Sequence, residues 1–365
     1  MSILISVAAV SLLTVFLTIL IILGETVLAN YGVCTIDINH GRKRLAAVGG
    51  TTLLSALADH EIFVPSACGG KSTCGLCKIQ VADNARPVLP TEAPYLTNAE
   101  AETGVRLACQ YKIKSDLSVV IPEQFLATRR YHGRIERITD LTYDIKEFRL
   151  ALPPGESLEF KAGQYIQVET KPYGNVKESV FRAYSIASQP AEQGYVDIIV
   201  RLVPNGICTT YLHKYVTVGD EISFTGPYGD FYLRDGADQL IFIAGGSGLA
   251  PIKSLIFDIL AQQLDKNMIF FFGAVSKRDL YYVELFNDLA EKHENFTYIP
   301  ALSKPEPDDD WDGELGLITE VVARHIHDGE NKHAYLCGSP GMINACIEIL
   351  SQIGFSSDQI FYDKF

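Results

Sequence analysis

"ACGGKSTCGLC", residues 67–77, gathers three of the chain's eight cysteines into eleven positions. Three chemistries suit so dense a group: a disulfide scaffold, a zinc site, or the clasp of an iron–sulfur cluster. The choice turns on compartment, because structural disulfides persist where the surroundings are oxidising. The N-terminus supplies the address. From Ser2 to Gly24 no side chain is ionisable, and Ile3 to Leu23 reads almost wholly as Ile, Leu, Val, Ala and Phe. At about 1.5 Å per residue, such a run crosses a hydrocarbon layer of about 30 Å. A cleaved signal peptide needs a basic start, a shorter apolar core and small residues at the cleavage point. No Lys or Arg precedes this run, and Leu28-Ala29-Asn30 is a poor cleavage site. Residues 1–24 are therefore expected to be a transmembrane anchor. Arg42, Lys43 and Arg44 follow within about 20 residues, so the positive-inside rule puts the rest of the chain on the cytoplasmic side of the inner (plasma) membrane, crossed once.

A reducing cytoplasm removes the disulfide reading and leaves zinc or iron–sulfur. Cys68, Cys74 and Cys77 are spaced C-x5-C-x2-C, and Cys109 follows in "RLACQ". Four-cysteine zinc sites usually pair two C-x2-C knuckles, and this chain has one. Gly69, Gly70 and Gly75 let a loop wrap closely and aim backbone N–H groups at sulfur. A 2Fe–2S cluster on Cys68, Cys74, Cys77 and Cys109 is the expectation. Around it, "GVCTIDINH" and "KRLAAVGG" alternate like a hairpin joined near His40-Gly41. "TTLLSALADHEI" has helical spacing behind a Thr cap, and "CKIQVAD" and "LSVVIPE" read as strands. Together these resemble a ferredoxin domain over residues 33–125, an α+β, β-grasp-like fold. The usual plant-type spacing is C-x4-C-x2-C, and the extra residue is a departure shared with vertebrate-type ferredoxins. Cys34, Cys208 and Cys346 lie outside the cluster and read as buried small hydrophobes.

Composition limits the rest. A chain of 365 residues with 47% apolar side chains predicts two or three packed domains. Its 44 acidic against 31 basic residues, net −13, argue against nucleic-acid binding, which needs clustered positive charge.

After "PEQFLATRR" the sequence turns β-rich, and "RAYSIAS" stands at 182–188. Arg182 can neutralise a pyrophosphate, Tyr184 can stack on an isoalloxazine edge, and Ser185 can hydrogen-bond near flavin N5. "KAGQYIQV" precedes this motif, while "GICTTYLH" and "TGPYGDF" follow it. In that order the four pieces resemble the antiparallel FAD-binding barrel of the ferredoxin–NADP⁺ reductase superfamily, over residues 129–233. The resemblance implies that Gly206, Ile207, Cys208 and Thr209 present backbone N–H groups and a hydroxyl to the FAD pyrophosphate at a helix start.

Residues 236–365 open with the buried strand "LIFIA" running into "GGSGLAPIKSLIFDIL". Gly245, Gly246 and Gly248 leave room for a phosphate at the helix N-terminus, and Pro251 suits a first turn. The form G-G-x-G-x-x-P matches the nicotinamide domain of the same superfamily. Strand and helix then alternate through "MIFFFGAV", "YYVELFNDLAEKH", "FTYIPALS" and "HAYLCGSPGMINACIEIL", which predicts a parallel α/β sheet. The resemblance places Cys337 and Gly338 beside the nicotinamide C4, at the carboxyl edge where such sheets bind ligands. Lys277 or Arg278 can meet a 2′-phosphate and Asp279 a 2′-hydroxyl; the resemblance favours NADH. Phe365 either covers the flavin ring, as a terminal aromatic does in this superfamily, or packs as an ordinary strand end.

The whole order of anchor, ferredoxin, FAD barrel and NADH domain, with "WDG" at 311–313 and "CGSP" at 337–340, resembles the NADH-oxidising F subunits of sodium-translocating NADH:quinone reductases. That family implies FAD, a 2Fe–2S cluster and NADH as cofactors, Ser185, Cys337 and Phe365 at the reacting centre, and membrane subunits of a quinone reductase complex as partners. Those F subunits carry a longer insertion before R-x-Y-S; only "TKPYGNVKESVF" intervenes here. Two rivals are a membrane-tethered reductase component of an oxygenase, which shares the modules, and a binding module with a vestigial flavin fold. The intact cysteines and R-x-Y-S motif speak against the second.

Overall fold

The computed structural model describes residues 31–83, 85–126 and 128–364, with Val7, residues 10–20 and Gly24. Of the anchor expected over 1–24, residues 1–6, 8–9 and 21–23 lie outside the described residues. Its described positions are helical, and among the described residues no helix is long and apolar enough to cross a membrane. The chain divides into two compact units, 1–129 and 130–365.

In the first unit, β1 (Val33–Ile38) and β2 (Lys43–Val48) pair antiparallel, with Val33 opposite Val48. Asn39, His40 and Gly41 all take positive φ, which makes the expected turn. Helix α1 (Leu53–Asp59) starts where the Thr52 hydroxyl accepts the Ser55 N–H, and it buries Leu53, Ala56 and Leu57 at helical spacing. Strands β3 (Lys78–Val81), β4 (Val105–Leu107) and β5 (Leu117–Val120) complete a sheet of order β2-β1-β5-β3-β4, in which β1 and β5 run parallel. The strands read from "CKIQVAD" and "LSVVIPE" are β3 and β5.

The second unit holds two sheets. Strands β6 (Arg129–Asp140), β7 (Ile145–Ala151), β8 (Tyr165–Glu169), β9 (Phe181–Ser185), β10 (Tyr195–Arg201) and β11 (Glu221–Tyr228) have the order β10-β7-β6-β11-β8-β9. An Ile186–Ile198 bridge ties the exit of β9 to β10 and curls the sheet toward a barrel. Along β10, Val196, Ile198 and Val200 point into the barrel core with Phe148 and Phe224, and helix α2 (Ile207–Lys214) plugs it with Cys208, Tyr211 and Leu212.

Strands β12 (Gln239–Gly245), β13 (Asn267–Ala274), β14 (Phe296–Leu302), β15 (Glu314–Leu315), β16 (Lys332–Gly338) and β17 (Ile360–Lys364) form a parallel sheet of order β15-β14-β13-β12-β16-β17. Helices α3 (Leu249–Ala261), α4 (Val283–Lys292), α5 (Ile318–His325) and α6 (Pro340–Ile353) cover it. Leu240, Phe242 and Ala244 of β12 face the core shared with α3, while Ile241 and Ile243 face the core shared with α5 and α6. Alternation on a strand buried on both faces explains why "LIFIA" reads as one apolar run.

Ile145, Ala187 and Ile199, from the outer face of the barrel, belong to the same core as α3, so the two sheets are packed together. A buried polar seam crosses that packing. Glu147 of β7, with only 3% of its side chain exposed, accepts from Lys253 of α3 at 2.9 Å and from Arg137 of β6 at 3.2 Å. The Tyr282 hydroxyl adds a further hydrogen bond. Beside it, Ser254 donates to the Ser188 carbonyl at 2.6 Å, and Arg149 grips Asp197 through two nitrogens. The helix expected from Tyr281 starts two residues later, because Tyr282 adopts a left-handed conformation (φ 59°) with its hydroxyl on Glu147. Removing Lys253 strands a buried carboxylate. Lys253→Met is expected to destabilise the 130–365 unit by about 3 kcal/mol in denaturant unfolding, the low end because Arg137 remains. Adding Glu147→Gln recovers most of the loss.

Candidate active site

The carboxyl edge of the parallel sheet and the open end of the barrel enclose a cavity of about 710 Å³. Arg182, Tyr184 and Ser185 of β9 line one wall, and Gly206, Ile207, Cys208 and Thr209 line another. Gly245, Gly246, Asp279 and Gly338 approach from the parallel sheet. Residues scattered over more than 150 positions of sequence therefore meet around one space, large enough for cofactor-sized ligands.

Each wall has its own chemistry. Arg182 bonds the Phe181 carbonyl at 2.6 Å and forms no ion pair among the described residues, so its charge is available to an anion. Tyr184 sits against the Cys208 thiol, and loss of hydration pushes its phenol well above the usual range. Ser185 is nearly buried. At the start of α2, Gly206 offers no side-chain cap, so the first-turn amides have no partner within the helix. The Thr209 hydroxyl is turned onto the Val203–Gly206 loop, accepting from the Val203 N–H at 3.2 Å. The Gly206 N–H, expected among the donors, is spent on the Val203 carbonyl at 2.9 Å, so the donors this helix start can offer are the amides of Ile207, Cys208 and Thr209.

The glycine loop divides its labour. A Cβ on Gly248 would stand 2.2 Å from the Cys337 carbonyl oxygen, so this glycine serves the packing of α3 on β16. Gly248 and Pro251 are buried and do not line the cavity; Gly245 and Gly246 do. Cys337 has no exposed surface and lies behind Gly338, its thiol raised well above normal by burial. Asp279 closes a turn by accepting from the N–H and hydroxyl of Ser276, both at 3.0 Å. Lys277 is engaged with Asp309, and Arg278 lies over the Tyr143 ring at 4.9 Å. Of the Asp279 carboxylate, one oxygen takes both Ser276 bonds and the other has no hydrogen-bond partner among the described residues. Nearby, half-buried Trp311 donates its indole N–H to the Glu314 carbonyl. Phe365 lies outside the described residues.

Three contributors escape a reading of the sequence. Arg201, at the cavity end of β10, is held by Asp144 at 2.7 Å, and its Nη1 lies 3.3 Å from where a Cβ on Gly246 would be. A cation closing the apolar run "VDIIV" was the signal. Tyr281, fully buried, donates to the Gly246 carbonyl at 2.7 Å and fixes the glycine loop. Asp363 of β17 stands opposite Cys337 of β16, and loss of hydration with the nearby Asp230 carboxylate pushes it up to about 6.

In the first unit the cysteine loop carries Gly69, Gly70, Ser72 and Gly75 at positive φ. The Ser66 hydroxyl accepts from the Gly70 N–H at 2.9 Å, and Gly75 sits against Tyr95, whose ring leaves no space for a Cβ. The Cys68 and Cys74 sulfurs are 3.4 Å apart, and Cys77 and Cys109 form a second hydrogen-bonded pair. Within each pair the shared hydrogen bond lowers one thiol, Cys68 or Cys109, and raises its partner, Cys74 or Cys77. Among the described residues no three Cys, His or carboxylate groups converge on one point. Four thiols in two pairs are the ligand set that a binuclear iron–sulfur cluster takes.

A barrel with an anion-ready wall, a parallel sheet with a glycine loop, and a paired-thiol loop define an oxidoreductase of the nicotinamide, flavin and iron–sulfur class. Three family models match accordingly: the 2Fe-2S iron-sulfur cluster binding domain over residues 36–114, the oxidoreductase FAD-binding domain over 132–232, and the oxidoreductase NAD-binding domain over 242–348. The F subunit of the Na(+)-translocating NADH-quinone reductase of Neisseria meningitidis is 35% identical, with all of both chains covered; that of Mannheimia succiniciproducens is 35% identical over 98% of each. The chain belongs to the family of Na(+)-translocating NADH-quinone reductase F subunits. The Neisseria alignment runs over 405 positions against the 365 residues of this chain, in keeping with a shorter insertion. Among solved structures, the Amycolatopsis cytochrome P450 reductase is 28% identical with a TM-score of 0.73, covering 91% of this chain and 98% of its own. A ferredoxin reductase in carbazole 1,9a-dioxygenase, 24% identical with a TM-score of 0.69 and the same coverage, shares the fold.

Asp363 gives a test of the reacting end of the sheet. Its carboxyl is raised from 3.8 to about 6, so between these values the native state holds a proton that the unfolded chain releases. Stability falls as pH rises through that window. Asp363→Asn removes the fall, so in thermal melts the variant gains on wild type from pH 4 to pH 6 and the gap then stays constant.

Proposed function

We propose that this chain is the electron-entry subunit of a membrane quinone reductase complex, passing electrons from NADH through FAD and a 2Fe–2S cluster to membrane partners and ultimately to quinone, coupled by the complex to sodium translocation. The observation that carries the proposal is the shared cavity in which Arg182, Tyr184, Ser185 and the start of α2 face Gly245, Gly246 and Asp279. When bound, FAD accepts a hydride from NADH and releases its electrons singly, which suits a one-electron cluster as the next carrier.

The chain's own residues hold these groups in place. Arg182 and the amides of Ile207–Thr209 neutralise the FAD pyrophosphate, Tyr184 flanks the ring, and Ser185 addresses N5. Gly245 and Gly246 admit the nicotinamide dinucleotide's phosphates, with Gly248 and Pro251 setting the helix behind them. Asp279 accepts from the ribose 2′-hydroxyl. Gly338, with Cys337 behind it, borders the nicotinamide, and Phe365 covers the flavin. Cys68, Cys74, Cys77 and Cys109 hold the cluster. The corresponding division is an anchor over 1–24, a ferredoxin domain over 33–125, an FAD barrel over 129–233 and an NADH domain over 236–365.

The anchor crosses the inner membrane once, with the remaining domains in the cytoplasm. Supporting this, Val10, Leu12, Leu13 and Phe16 are exposed on a helical stretch, and the Thr14 and Thr18 hydroxyls are satisfied by the Ser11 and Thr14 carbonyls. Both properties suit hydrocarbon surroundings.

A second reading, a tethered reductase feeding an oxygenase, draws on the likeness to the Amycolatopsis P450 reductase. The test compares wild type with Cys77→Ala in NADH oxidation, first with ferricyanide and then with quinone in membranes holding the native partners. Ferricyanide reduction is expected to survive the substitution while quinone reduction is lost. No quinone reduction by wild type in those membranes would favour the oxygenase reading, and no NADH oxidation with FAD supplied would overturn both.

A further inference from the structure

The short segment between β8 and β9 forms a tight turn closed by a Tyr173–Val176 bridge. Its base is fixed by the buried Thr170, whose N–H donates to the Val180 carbonyl and whose hydroxyl accepts the Val180 N–H, both at 3.0 Å. From this turn Tyr173 reaches across the barrel end to α2. Its hydroxyl donates to the carbonyl of Ile207, the first residue of that helix, at 2.6 Å. Its ring packs on Tyr211 and Tyr215 farther along, with centroids 5.5 and 4.6 Å away. One side chain thus holds α2 at its start and along its length. The same segment runs directly into β9, which carries Arg182.

We infer that Tyr173 is a positioning residue for FAD: the turn is a strap that sets the first-turn amides of α2 at a fixed distance from Arg182, so that both meet the same pyrophosphate. The inference rests on the reading of this cavity as a flavin site. Amides and a guanidinium converge on one anion only if strand and helix keep their separation, and no covalent link or shared strand ladder joins β9 to α2. Beside the contact of Tyr184 with Cys208, Tyr173 ties the segment entering β9 to α2 through a hydrogen bond and tilted ring contacts.

The test is reconstitution of the flavin-free full chain with FAD, followed by titration and by the rate of FAD release on dilution. Tyr173→Phe keeps the rings and loses only the hydroxyl. It is expected to weaken FAD binding about three- to tenfold, mainly through faster release, with the melting temperature of the flavin-free protein and the iron–sulfur absorption unchanged. Tyr173→Ala, losing the ring contacts too, weakens binding about 30-fold or more. Lys177→Ala, on the exposed side of the turn, has no effect. Tyr173→Phe binding and releasing FAD as wild type does would overturn the inference. A fall in melting temperature of the flavin-free Tyr173→Phe chain without weaker FAD binding would also overturn it, by reducing Tyr173 to a packing role. Failure of wild type to bind FAD at all would instead overturn the flavin reading beneath it.

Discussion

A carboxylate withdrawn from water must be matched by charge and hydrogen bonds, and Glu147 is matched from both halves of the larger unit. Lys253 and Tyr282 come from the nicotinamide side, Arg137 from the barrel. Hydride transfer tolerates little error in the separation of donor and acceptor, so whatever joins these two sheets governs the chemistry between them. Apolar packing through Ile145, Ala187 and Ile199 brings the surfaces together without choosing a register. The buried charges choose one, because any slip leaves Glu147 or Lys253 unpaired. The left-handed backbone at Tyr282 is the local cost of that choice.

What could be read in the sequence was whatever is encoded locally. The Thr52 cap, the Asn39–Gly41 turn, the cysteine loop and the R-x-Y-S strand each declare themselves within a dozen residues, and the structure places them as expected. The barrel was legible too, but through the order of four motifs rather than any one. Contacts made across the fold were not legible. Tyr281 holding Gly246, and Tyr173 holding Ile207, join residues more than thirty positions apart through side chains with no distinguishing spacing. Gly248 was read as room for a phosphate; its tight approach to Cys337 depends on where β16 lies, which no local pattern reveals. Thr209 likewise belongs to a loop whose shape its neighbours decide.

The cysteine loop shows how a small unit prepares a metal site with few residues. Positive φ at four positions turns the chain tightly enough to set Cys68 beside Cys74, while Cys77 and Cys109 come from the sheet side, where both are buried. One pair is partly open to solvent and the other closed. A binuclear cluster held by these four thiols would have one ligand pair nearer solvent than the other, and hydration and hydrogen bonding are among the chief controls of cluster potential.

Trp311 is the only tryptophan in the chain. It is half-buried, and it lies two residues from Asp309, which grips the turn presenting Asp279 to the cavity. Indole emission therefore originates at a single address, close to the turn that carries Asp279. The protein carries its own optical reporter, with no label to attach and no second fluorophore of that kind to subtract. Its quenching reports on that turn together with any energy passed to a bound dinucleotide, flavin or cluster, all of which absorb where indole emits.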